Sequence, residues 1–82
     1  MKEFLRYLLE NIVSHPDELK ITEETQGGEH VFKISVAQED MGTVIGKNGR
    51  IIQSIREMAK TKAIKDKIKV DVVIEEKIND NL

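Results

Sequence analysis

Val44-Ile45-Gly46-Lys47-Asn48-Gly49-Arg50-Ile51-Ile52 reads VIGKNGRII and sits inside the most apolar helical pattern of this 82-residue chain. Apolar residues flank two glycines that stand three apart, with a lysine and an asparagine between them. Glycine accepts backbone angles that other residues resist, so a helix is expected to end at Gly46. A second helix is expected to start at about Arg50. Between them the backbone has little side-chain cover. An anion can approach its amides, and the start of the second helix adds positive dipole. Lys47 and Arg50 add full charges, and Asn48 tolerates a turn while offering a donor.

Upstream, Asp40 to Ile45 reads as a short helix with a polar start at Gln38 to Asp40. Downstream, Arg50 to Ala63 is a longer helix, with Ile51, Ile52, Ile55, Met58, Ala59 and Ala63 at core spacing. Ile64 to Asp66 is expected to be a loop. Lys67 to Glu75 alternates as a strand, with Ile68, Val70, Val72 and Ile74 inward and Val73 breaking the pattern. Before the stretch, Val31 to Val36 is a strand that faces Phe32, Ile34 and Val36 to one side. Leu19 and Ile21 begin a shorter strand, joined to it through a Gln26-Gly27-Gly28-Glu29 turn. Residues 2–13 place Phe4, Leu5, Leu8, Leu9, Ile12 and Val13 on one helical face. Ser14-His15-Pro16-Asp17 ends that helix.

The order is α-β-β-α-α-β. The fold class is α+β, a three-stranded mixed sheet with three helices packed on one face. The crossover through two helices makes the second and third strands parallel. One domain is expected over residues 1–76, with a frayed tail at 77–82. The start at Met1 and the lack of a linker argue for a stand-alone domain.

Charge is unevenly spread. The formal net charge is −2. Yet Val44 to Lys69 holds eight basic residues against two acidic ones, for +6, and the remainder holds five against thirteen, for −8. Surface potential is set locally, within a Debye length of about 10 Å at 0.1 M salt. A basic region can therefore bind an anion on an otherwise acidic body, although a solvated helix face would look the same.

An enzyme is not expected. There is no cysteine. His15 and His30 stand alone in the sequence, and the carboxylates are scattered without a metal or acid–base pattern. Gly42 to Asn48 fails as a P-loop, having three residues between its glycines and no Ser or Thr after the lysine. The N-terminal helix carries Glu3, Arg6 and Glu10, so it is neither a signal peptide nor a membrane span. The expected setting is cytoplasmic, without cofactor, metal or membrane.

With its hairpin before and its alternating strand after, the VIGKNGRII stretch resembles the KH domain over about residues 1–76. The element order looks like the type II version, and a short chain of this kind resembles the bacterial KhpA family. That resemblance implies a GxxG loop that clamps the backbone of about four nucleotides of single-stranded RNA. The implied site is Gly46, Lys47, Asn48 and Gly49 with Arg50. Val44, Ile45 and Ile52 would lie where groove meets core, Ile52 packing rather than touching bases. Gly42 either admits nucleic acid or is a weak helix position. Lys69 or Val70 would line the far side. The aromatics Phe4, Tyr7 and Phe32 lie away from the loop, so no stacking platform is available. The resemblance also implies a homodimer, or a heterodimer with a larger KH-containing partner (KhpB, also called Jag or EloR), and a regulatory role bearing on cell elongation and division. A pure protein-interaction module is the alternative reading.

Overall fold

The computed structural model describes residues 1–75. The end of the expected domain at residue 76 and the expected frayed tail lie outside them. The elements are α1 (Lys2–Glu10), β1 (Lys20–Gln26), β2 (Glu29–Ser35), α2 (Gln38–Ile45), α3 (Arg50–Asp66) and β3 (Lys69–Glu75), with short 3-10 turns at Pro16–Glu18 and Lys47–Gly49. The α-β-β-α-α-β order and the mixed three-stranded sheet match the sequence reading.

β1 and β2 form an antiparallel hairpin whose register runs from Lys20↔Ser35 to Gln26↔Glu29. Gly27 and Gly28 both take positive φ, 56° and 81°. Two such residues give a turn whose twist matches the strands it joins. The ladder carries β1 through Glu24, Thr25 and Gln26, well past the apolar Leu19 and Ile21. β2 is central and pairs with β3 in parallel, Glu29↔Lys69 through Ser35↔Glu75. The rows Ile21–Ile34–Ile74 and Phe32–Val72 share one face of the sheet.

That face meets Leu5 and Leu9 of α1, Val44 of α2, and Ile52, Ile55, Ala59 and Ala63 of α3 in one buried cluster. Burying each large aliphatic or aromatic side chain in it contributes about 1.5–3 kcal/mol.

Three expectations need correction. α1 stops at Glu10, where Ile12 and Val13 turn back and both donate to the Leu9 carbonyl. Their side chains still pack on the core. α3 continues through the expected loop at Ile64 to Asp66. It ends where Lys67 adopts a left-handed conformation (φ 57°, ψ 42°). Lys67 N–H donates to Ile64 O at 3.2 Å, and Ile68 N–H donates to Ala63 O at 3.0 Å. This paired C-cap normally uses glycine, so a lysine there left no mark in the sequence. Ile51 and Met58 are not core residues, being 39% and 41% exposed. The buried stripe of α3 runs through Ile52, Ile55, Ala59 and Ala63, and its flank turns away.

Candidate nucleic-acid interface

The turn that joins α2 to α3 is held from below. Val44 is fully buried and anchors the end of α2. Gly46 takes φ 77° and ψ 172°, and its N–H donates to Gly42 O at 2.8 Å. A Cβ on Gly46 would run into Ile51 Cγ1 and come within 2.9 Å of the Ile51 amide nitrogen. Position 46 therefore excludes side chains by both angle and space. Lys47, Asn48 and Gly49 make one 3-10 turn, closed by Gly49 N–H donating to Gly46 O at 3.1 Å. Asn48 (φ 57°, ψ 25°) and Gly49 (φ 73°, ψ 15°) are both left-handed. α3 then begins without a side-chain cap. Its first-turn amides are the donors that an anion would use.

Lys47, Asn48 and Arg50 are exposed. Among the described residues their side chains have no hydrogen-bond or ion-pair partner. Other cations are engaged: Arg6 with Glu10 at 3.0 Å, Lys33 with Glu24 at 3.1 Å, and Lys62 with Asp66 at 3.6 Å. The loop thus presents unneutralised positive charge beside backbone that lacks side-chain cover.

The fold brings Gly42, Ile45, Gly46, Lys47, Asn48, Gly49 and Arg50 together and separates the rest of the expected site. Gly42 is exposed, with open space where a Cβ would stand. Ile45 is half-buried. Val44 packs inward like Ile52 and offers no surface. Lys69 follows the far end of α3. Seventeen residues at 1.5 Å rise put that end about 25 Å from the loop.

Two contacts near the site carried no sequence signal. Arg56 Nε donates to Val72 O at 3.0 Å, and Asp71 Oδ1 accepts from Val72 N–H at 2.9 Å. Val72 turns both groups to the free edge of β3, and both are satisfied by side chains. This blunts an edge that would otherwise invite strand pairing. Behind α2, the Asp40 carboxylate is 2% exposed. It accepts from the amides of Ser14 and His15, each at 2.9 Å, and lies 3.2 Å from His15 Nδ1. The Ser14 amide bond, with the His15 contacts, holds the Asp40 carboxyl below the usual range against the opposing effect of burial. The hydrogen bond to Asp40 pushes the His15 imidazole up. This side chain, expected only as part of a polar helix start, tethers the α1–β1 connection to the helix that carries the loop.

Neither histidine is isolated in space, since His30 Nδ1 lies 2.8 Å from Glu23 Oε2. His15, Glu18 and Glu39 bring ligand-type atoms within 4.8 Å of one another. They form an open acidic corner, and nothing beyond proximity draws them into a coordination shell. No helix among the described residues is long and apolar enough to cross a membrane.

Residues 2–74 match the KhpA/KhpB KH domain. RNA-binding protein KhpA of Chlamydia pneumoniae is 38% identical over 78 residues, covering 94% of this chain and all of the relative. RNA-binding protein KhpA of Clostridium acetobutylicum is 40% identical over 74 residues, covering 90% of this chain and 99% of the relative. RNA-binding protein KhpA of Thermotoga maritima is 46% identical over 56 residues, or 68% and 75% of the two chains. The chain belongs to the KhpA/KhpB family of KH domains.

Proposed function

We propose that this protein binds single-stranded RNA, using the Gly46–Gly49 loop as a clamp on the phosphate backbone. It is a binding module rather than an enzyme. The observation that carries the reading is the loop itself. Its first glycine has no room for a side chain, its backbone is uncovered, and Lys47 and Arg50 stand beside it without anionic partners. The names of the relatives support RNA as the polyanion. Bases would be held by apolar contact and backbone hydrogen bonds, because no aromatic residue lies near the loop. Low sequence specificity follows, and a post-transcriptional role in the cytoplasm, bearing on cell elongation and division, is the setting this reading implies.

The test is a titration of labelled single-stranded and double-stranded RNA with the wild type and with Lys47→Asp/Asn48→Asp, at two salt concentrations. The variant puts two carboxylates where a phosphate would sit, on exposed positions that leave the core intact. Single-strand binding that weakens with salt and is lost in the folded variant is the expected result. A folded wild type that retains no RNA would overturn the proposal.

A second reading has its own observation. The outward side of α3 and Phe4 of α1 line an open, largely apolar groove of about 710 Å³, with Met58 in its lining. Such a surface suits a protein partner. A second copy of this chain, or a larger KH-containing protein of the KhpB type, is the partner proposed. No residue of the Gly46–Gly49 loop lines the groove, so clamp and partner need not compete.

A further inference from the structure

The sheet has two edges, and the fold treats them differently. β2 is central, so β1 and β3 each leave one side unpaired. On β3 the outward groups of Val72 are taken by Arg56 and Asp71. β1 has no such guard. The Gly27-Gly28 turn closes on the Gln26↔Glu29 pair, which is a hydrogen-bonded pair in a hairpin of this type. Alternation then points the backbone of Lys20, Thr22, Glu24 and Gln26 at β2. It points the N–H and C=O groups of Ile21, Glu23 and Thr25 away from the sheet. Among the described residues, no side chain or main-chain group bonds to these outward groups. Thr22, Glu23, Thr25 and Gln26 are exposed, so the edge is open beside them.

Side chains along this edge are acidic. Residues 17–29 hold Asp17, Glu18, Glu23, Glu24 and Glu29 against Lys20 alone, for −4. Lys33 offsets Glu24 at 3.1 Å, and His30 lies 2.8 Å from Glu23. Both partners sit behind the edge, on β2. Exposed edges are usually protected by lysine, proline, a bulge or a cover. β1 carries only Lys20, at its first position.

We infer that the free edge of β1 is a docking strand for an extended segment of a partner protein that carries lysine or arginine, and that this segment adds a fourth strand to the sheet. Main-chain hydrogen bonds to Ile21, Glu23 and Thr25 hold it, and the carboxylates along the edge select its charge. A second copy of this chain fits less well. Two β1 strands paired antiparallel over their whole length set Glu23 opposite its own counterpart, and like charges directly opposite are destabilising. A nucleic-acid strand is repelled by the same carboxylates. The inference stands apart from the RNA reading, because no residue of the Gly46–Gly49 loop lies on β1.

The experiment uses two synthetic peptides the length of β1. One alternates lysine with valine and threonine, and the other has glutamate in place of lysine. Amide hydrogen exchange of the full chain is followed by NMR with and without each peptide at millimolar concentration. The lysine peptide should slow exchange at Ile21, Glu23 and Thr25, whose amides exchange fast in the free protein. The glutamate peptide should leave them fast. Thr25→Pro removes one outward N–H and leaves the ladder to β2 intact, and it should weaken the lysine peptide about fivefold. Glu23→Gln/Glu24→Gln should weaken it about two- to fivefold for each charge removed. Circular dichroism checks the fold of both variants, and the glutamine pair answers even if the proline variant unfolds. No slowing at these amides with the lysine peptide overturns the inference. Equal slowing by the glutamate peptide overturns the charge selection on which it rests. Exchange that is already slow without peptide and quickens on dilution would show two copies pairing through β1, and that also overturns it.

Discussion

Gly46 and Gly42 are both glycines of the loop region, and they are opposites. Gly46 has a left-handed φ and Ile51 directly beneath it. Gly42 lies inside α2 with ordinary angles and open space where a Cβ would go. Gly46→Ala should therefore destabilise the fold by about 1–3 kcal/mol and distort the clamp. Gly42→Ala should be neutral or stabilising by up to about 1 kcal/mol, because it removes backbone freedom from a helix interior. Urea unfolding of the two variants checks this, and equal effects would contradict it. RNA titration of Gly42→Ala adds a second answer. Weakened binding by a stable Gly42→Ala would mean that nucleic acid approaches α2 there. The importance of Gly46 was legible in the motif. The reason, a tight fit over Ile51, was not, because Ile51 reads as a core residue in one dimension and is partly exposed in the fold.

At the scale of elements, α2 is a short helix whose direction sets the loop, and Asp40 ties it to the chain ahead of β1. Asp40→Ala leaves the amides of Ser14 and His15 without their acceptor inside the fold. Losing two part-buried hydrogen bonds to a charged acceptor is costly, and the melting temperature should fall by on the order of 10 °C. Asp40→Asn, which keeps a carbonyl acceptor, should fall between that variant and wild type in a thermal scan. An Asp40→Ala variant that melts with wild type would show the tether to be idle. The identity of every element was readable from apolar spacing and from the Gly27-Gly28 and Gly46–Gly49 turns. Boundaries were less so. α3 overran its expected end because its cap uses Lys67 in a conformation usually left to glycine. β1 runs from Lys20 up to the turn at Gln26 because hairpin pairing, rather than the polar residues Glu24 to Gln26, decides how far a strand extends.

For the whole molecule, polarity of charge matters more than its sum. An acidic body with a basic α3 explains how a chain of net charge −2 can face a polyanion. It also leaves the outward groove around Met58 as a surface of different chemistry. If that groove is the partner surface, sedimentation should find the wild type as a dimer and Met58→Glu as a monomer. RNA binding through the clamp should persist in the monomer. A wild type that sediments as a monomer at all accessible concentrations would remove the homodimer from the second reading.

The amino-acid sequence by itself determined the element order, the mixed sheet, the turn at Gly46–Gly49 and the family, because these follow from local periodicity, glycine spacing and motif. Tertiary structure decided which of the motif's neighbours are surface. Val44 was drawn into the core, and Lys69 was carried to the other end of α3. Arg56 and Asp71 were placed across the β3 edge, and Asp40 was set under the loop's helix. The Arg56 and Asp40 placements depend on residues that meet across 16 to 26 positions of chain, as in the Arg56–Val72 and Ser14–Asp40 contacts. Local pattern does not encode such meetings until the core has packed.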